Sequence, residues 1–245
     1  MRPLIRWTFG MVEKPGFEVF RMAVKRFRAI YPEFDCVICY NNLRERDHLE
    51  VLKNMGVDLY EQSTSDLNYP LMPVEKPLGW KGAMPGWGWK LCPPRLRRES
   101  HELWVDNDLL IRERLPEIDQ WLDSKMSIIS KGHRYDMRYY GEFADLVPKN
   151  KSCSAGFFGL PPHFDFESAI AEKCQQVLKG RPLGYFDEQG LVTAIVTNQD
   201  HIIAHNVEMI KGPVVKPLPK AMHFIATNRL PEHDDWRDFK CSILI

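Results

Sequence analysis

The stretch LIRWTFGMVEKPGFEVFRMAVKRFRAIYPEFDCVICY, residues 4–40, decides the fold class. It opens on an apolar run of strand character, residues 4–9, ended by Gly10. Phe17, Phe20, Val24, Phe27 and Ile30 then recur at helical spacing, and Pro32 closes the segment. Residues 36–40 form a second apolar run. Working outward, residues 44–55 read as a polar helix with Leu49, Leu52 and Met55 on one face and Gly56 as its stop. Residues 57–60 supply a third strand. Strand–helix–strand–helix–strand with short joints argues for parallel pairing through right-handed crossovers, and so for an α/β sheet covered by helices.

With 245 residues, 44% of them hydrophobic, the chain can bury one full core or two fused lobes. Basic and acidic side chains balance at 33 each, so a nucleic-acid partner loses its commonest footprint. Arg95, Arg97, Arg98, Arg112 and Arg114 read as a solvated face. The opening Met-Arg-Pro-Leu-Ile-Arg-Trp lacks the apolar core of a secretory signal, and no stretch has the uncharged length of a transmembrane segment. Cys36 and Cys39 have redox-motif spacing, but on a strand such positions face opposite sides and share neither a metal nor a disulfide. Reduced, buried thiols point to a cytoplasmic protein.

Beyond the third strand the pattern breaks. Residues 62–88 carry prolines 70, 73, 77 and 85 and glycines 79, 82, 86 and 88, the composition of a long functional loop. A short helix over residues 90–98 follows. Further on, residues 115–122, 166–178 and 187–196 read as helices, and residues 127–130, 152–160, 201–204 and 222–226 as strands. Residues 135–147 have no clear period. A regular first half and an irregular second half suit a single unit over 1–245, with a nucleotide-binding half (1–111) fused to an acceptor-side half (112–245).

Within that frame, residues 102–111 read Glu-Leu-Trp-Val-Asp-Asn-Asp-Leu-Leu-Ile. In a β-strand successive side chains alternate faces, so Asp106 and Asp108 point to one side and Asn107 to the other. Two carboxylates at a strand end make a hard-oxygen site for Mg²⁺ or Mn²⁺, completed by phosphate oxygens and water. That chemistry suggests a nucleoside-diphosphate substrate. An Asp-x-Asp triplet alone also fits two solvated turn carboxylates.

Four motifs in order add weight: Leu103-Trp-Val-Asp-Asn-Asp-Leu-Leu-Ile111, Ser154-Ala-Gly-Phe-Phe-Gly-Leu-Pro161, Glu188-Gln-Gly-Leu-Val192 and His223-Phe-Ile-Ala-Thr-Asn-Arg229. Together they resemble the GT-A glycosyltransferases, most closely the glycogenin-like and lipopolysaccharide galactosyltransferase family. The resemblance implies a GT-A-like, Rossmann-type mixed sheet flanked by helices with an irregular acceptor-side half. It implies a glycosyltransferase moving a hexose, with Mn²⁺ or Mg²⁺, from a UDP- or GDP-sugar to a saccharide or glycolipid acceptor, with retention if the family pattern holds. By the same resemblance Asp106 and Asp108 bind the metal and Asp106 the donor, and His223 is the third protein ligand. Arg229 stands where the family has a diphosphate-contacting lysine, and Ala226 where it has a glycine. Ser154 and Gly156 match a donor-sugar turn, with serine in place of asparagine. Gln189 and an acidic neighbour, Asp187 or Glu188, match the pair near the transferred sugar; either carboxylate can face it. Lys90 resembles a donor-contacting base, and the base-binding loop corresponds to Thr8, Phe9 and Gly10. Trp80, Trp87, Tyr139 and Tyr140 are candidates for stacking on the acceptor.

Rival readings are a metal-dependent phosphohydrolase, a nucleotidyltransferase and a non-catalytic sugar-nucleotide-binding protein. Leu109-Leu110 departs from the aspartyl-phosphate pattern, and Thr8-Phe9-Gly10-Met11 is a poor version of a nucleotidyltransferase glycine loop.

Overall fold

A computed structural model describes residues 1–9, 14–40, 46–63, 88–132, 136–180, 183–184, 186–210 and 218–224. Gly10, Trp80, Trp87, Ala226 and Arg229 lie outside the described residues. The first half runs β1 (Leu4–Phe9), α1 (Lys14–Ile30), β2 (Asp35–Tyr40), α2 (Arg46–Lys53) and β3 (Asp58–Glu61). Next come β4 (Glu102–Val105), β5 (Leu109–Ile111), α3 (Pro116–Leu122), β6 (Ser127–Lys131) and β7 (Cys153–Leu160). The chain continues with α4 (Phe166–Leu178), α5 (Asp187–Thr197), β8 (His201–Ala204), β9 (Val207–Ile210) and β10 (Ala221–Phe224).

Seven strands form the main sheet in the order β3-β2-β1-β4-β7-β6-β8. β1, β2 and β3 are parallel, as the alternation of strands and helices predicts, and β4 joins β1 parallel as well. β7 runs antiparallel to both β4 and β6, which makes the sheet mixed. A second sheet, β5-β10-β9, takes the chain out of the main one just past the aspartate pair.

Strand alternation divides the core. Leu103 and Val105 face a cluster with Trp7, Phe20, Phe27, Trp121 and Phe157, while Trp104 between them faces Phe158, Ile129 and Leu191. Each such side chain, fully buried, contributes about 1.5–3 kcal/mol. Cys36 packs in the first cluster and Cys39 in another on the opposite face. Cys36, Cys153 and Cys174 are free and buried, and burial pushes the Cys36 and Cys174 thiols up to about 12.

Several expectations need correction. Residues 90–98 are not a helix: a 3₁₀ turn, Trp89–Leu91, gives way to bends, because Pro93 and Pro94 cannot continue a helical ladder. The aperiodic residues 135–147 hold a 3₁₀ run, Met137–Leu146, kinked where Gly141 takes φ 52°. β9 is a four-residue strand too short to leave a period. Arg95 is no part of a solvated face, since its side chain is 2% exposed and paired with the fully buried Glu102. Arg112 is largely buried as well, donating to the Leu218 and Pro219 carbonyls.

Candidate metal and donor site

β4 ends at Val105, so the two aspartates are not brought together by strand alternation. They sit in a reverse turn: the Leu109 N–H donates to the Asp106 carbonyl at 3.2 Å, with Asp and Asn at positions that turns favour. The turn feeds β5, which pairs antiparallel with β10 so that His223 faces Leu109, the residue after Asp108. The Phe224 N–H donates to the Asp108 carbonyl at 3.0 Å. Pairing register therefore carries an imidazole from late in the chain onto the aspartate turn.

His223 Nε2 lies 3.2 Å from Asp108 Oδ1 and 3.5 Å from Asp106 Oδ2. One ligand atom from each of the three residues falls within 4.8 Å of the others. Two carboxylates and an imidazole suit a divalent ion of the Mn²⁺ or Mg²⁺ kind, the imidazole favouring Mn²⁺. The surroundings keep this space open. A Cβ on Gly156 would stand 2.2 Å from His223 Cε1 and 2.8 Å from Asp106 Oδ2, so only glycine fits beneath the cluster. Gly156 also accepts the Asp106 N–H at 2.8 Å. These residues fit a metal.

On the other side of Asp106, Lys90 Nζ lies 2.7 Å from Oδ1 and 3.2 Å from Glu188 Oε1, and it donates to the Ala155 carbonyl at 2.5 Å. Burial opposes ionisation of Asp106, but Lys90 and His223 override it and hold the carboxyl well below the usual range. Burial likewise opposes charge on His223, yet Asp108 and Asp106 push its pKa up to about 10. Glu188 is raised, chiefly by burial, with Lys90 pulling it back and Asp106 adding to the rise.

Of the two adjacent acids at the start of α5, Glu188 joins this cluster and Asp187 does not. Asp187 is buried, accepting the Glu142 N–H at 2.8 Å and the Gly184 N–H at 2.5 Å. Gln189 is part-buried one position on. Ser154 is buried, its hydroxyl accepting the Gly156 N–H at 3.3 Å. Thr8 is part-buried at the carboxyl edge of β1, one residue past Trp7, the partner of Val105. Phe9 is wholly buried and stacks on Phe20 at 4.7 Å, so its side chain belongs to the core and offers a nucleotide no surface. Tyr140 is buried too, its hydroxyl held by the Cys153 backbone, so it offers no stacking platform; Tyr139 is exposed.

The sequence matches no family model and no curated protein. Solved structures do match. The chain resembles the galactosyltransferase LgtC, solved with donor and acceptor sugar analogues, at 13% identity and TM-score 0.59, over 96% of this chain and 99% of that one. It also resembles mouse xyloside xylosyltransferase 1 at 12% identity and TM-score 0.54, over 91% of this chain and 97% of that one. For the bifunctional glycosyltransferase WbbM the values are 10% and 0.60, over 92% of this chain and 46% of that one. The fold is the GT-A glycosyltransferase fold.

On this GT-A frame one buried network escaped the sequence reading. Arg6, in the middle of β1, is fully buried, with NH1 3.3 Å from Glu102 Oε1. Its guanidinium donates to the carbonyls of Pro93 at 2.8 Å, Cys92 at 3.0 Å and Lys90 at 3.4 Å. Gln62 donates to the Trp89 carbonyl at 2.6 Å and to that of Cys92. The available signal was an arginine and a glutamate at inward positions of neighbouring apolar strands, since unpaired charges are almost never found there.

Proposed function

We propose that the protein is a glycosyltransferase that moves a hexose from a UDP- or GDP-linked sugar to a saccharide or glycolipid acceptor, using Mn²⁺ or Mg²⁺. The observation that carries this reading is the meeting of Asp106, Asp108 and His223 within 4.8 Å, on a fold that known glycosyltransferases share. Asp106, Asp108 and His223 would hold the ion, which when bound supplies electrostatic stabilisation of a departing diphosphate. Arg229, outside the described residues, is assigned the diphosphate by resemblance alone. Glu188 and Gln189 offer carbonyl or carboxylate oxygens to positive charge developing at the anomeric carbon. Lys90, between Glu188 and Asp106, keeps both carboxylates compatible with burial. Retention of anomeric configuration follows from the family resemblance and belongs to this proposal. So does a cytoplasmic setting, in keeping with free, buried thiols; among the described residues no helix is long and apolar enough to cross a membrane.

The test is incubation with a panel of nucleotide sugars and Mn²⁺, measuring free nucleoside diphosphate. Release that requires metal and is lost in Asp108→Asn supports transfer. Nucleotide-sugar binding without release supports a non-catalytic binder, and phosphate release from simple phosphoesters supports a hydrolase.

A further inference from the structure

We infer that Arg6 is a positioning residue: it holds residues 90–93 against the sheet so that Lys90 reaches Asp106 and Glu188. The segment bearing Lys90 has little structure of its own. Its 3₁₀ turn spans Trp89–Leu91, its N-cap Gly88 offers no side-chain hydrogen bond, and prolines follow. Its carbonyls are instead gripped from the sheet, those of Lys90, Cys92 and Pro93 by Arg6 and those of Trp89 and Cys92 by Gln62.

Neutralising Glu102 does not require Arg6. Arg95 Nε already lies 3.2 Å from Glu102 Oε2, and the N–H groups of Leu96 and Arg97 donate to the same carboxylate. Arg6 thus adds a second guanidinium to one buried carboxylate, an arrangement that costs desolvation and leaves a net positive charge. What Arg6 alone contributes is a planar fork of donors aimed at the Lys90 segment; stacking over Trp104 at 5.2 Å fixes the plane of that fork. Arg95 serves as an internal contrast. It shares Glu102 but grips the carbonyls of Pro161, Phe164, Arg97 and Ser100, none of them in the Lys90 segment.

The consequence for metal binding rests on the reading of Asp106, Asp108 and His223 as metal ligands. With Lys90 Nζ at 2.7 Å from Asp106, an ammonium competes with a cation for the same carboxylate. Releasing the segment removes that competition, so Arg6→Gln and Lys90→Met should each tighten Mn²⁺ binding, by about tenfold.

The experiment compares wild type, Arg6→Gln, Arg95→Gln, Lys90→Met and the Arg6→Gln/Lys90→Met double variant, each checked for folding by circular dichroism. Mn²⁺ affinity is read by calorimetry with the metal alone, and Lys90 exposure by amine acetylation and mass spectrometry. Positioning predicts that Lys90 becomes labelled in Arg6→Gln and stays protected in Arg95→Gln. It also predicts that Arg6→Gln has no further effect on Mn²⁺ affinity once Lys90 is methionine. Unchanged protection of Lys90 in folded Arg6→Gln overturns the inference, as does equal labelling in Arg95→Gln or an additive effect in the double variant. Should Arg6→Gln fail to fold, Arg6→Lys, which keeps a cation opposite Glu102 but lacks the planar fork that reaches three carbonyls, takes its place with the same expected labelling. Labelling does not depend on transfer, so a wild type that releases no nucleoside diphosphate counts against the proposed function and leaves this inference to be judged by Lys90.

Discussion

The two oxygens of Asp106 face different partners, Lys90 on one side and His223 on the other, and this division would govern how the proposed site takes up a cation. In the metal-free protein the imidazole holds a proton between two carboxylates, its pKa pushed up from 6.5 to about 10. That raised value stabilises the metal-free fold fully below 6.5, and the contribution is lost as pH rises through about 10. A metal ligand must be a neutral imidazole, so between those limits each ion displaces about one proton and affinity rises about tenfold per pH unit. Calorimetry in buffers of different ionisation enthalpy measures this release; zero release in that window contradicts His223 as a ligand. Asp108→Asn should abolish metal-dependent nucleotide binding and shift the melting temperature by only a few degrees, since the side chain is partly exposed. Gly156→Ala should also weaken metal-dependent nucleotide binding, and should cost about 1–3 kcal/mol of stability by overpacking against His223. Asp106, Asp108 and His223 were legible because an acidic triplet and a late histidine fall within recognisable motifs. Arg6 was not, because a single charge in a strand carries no period.

Among the elements, the aspartate turn shows what local pattern reading misses. Alternation along a continuing strand predicts the same convergence of Asp106 and Asp108 that the chain achieves by turning into a second sheet. Which of two neighbouring acids on α5 faces the site was likewise illegible, because helix geometry alone separates Asp187 from Glu188 by direction and not by chemistry. The structure separates them by partners, and the separation is testable. Asp187→Ala removes the acceptor of the part-buried Glu142 and Gly184 N–H bonds and should destabilise by about 1–2 kcal/mol in all. Glu188→Gln should leave thermal unfolding nearly unchanged while reducing nucleoside-diphosphate release at least about tenfold. Equal loss of stability in the two variants would remove the distinction. Helices α1 and α4 were readable because apolar stripes repeat over several turns; α5, read as amphipathic, is instead buried on nearly every side from Gly190 to Thr197, and β9 and the 3₁₀ runs are too short to repeat.

At the scale of the molecule, β4 joins the two halves by pairing with β1 on one side and β7 on the other. A sheet continuous across residue 111 should unfold in one step. Tryptophan fluorescence, whose seven reporters include Trp104 and Trp121, and far-ultraviolet dichroism should give coincident urea transitions, and two resolved transitions would mean independent lobes. The parallel half was legible because strands and helices alternate with short joints. That the sheet is mixed was legible only through the family resemblance, and which strand runs antiparallel was not legible, since pairing across long sequence separations leaves no trace in local composition. That late pairing also orders events during synthesis. Every strand of the seven-stranded sheet has left the ribosome by Ala204, while the imidazole arrives only with β10. A nascent chain, or one clipped by a protease after β8, would retain the seven-stranded scaffold yet lack His223, so the cluster of two carboxylates and an imidazole is complete only once β10 is made.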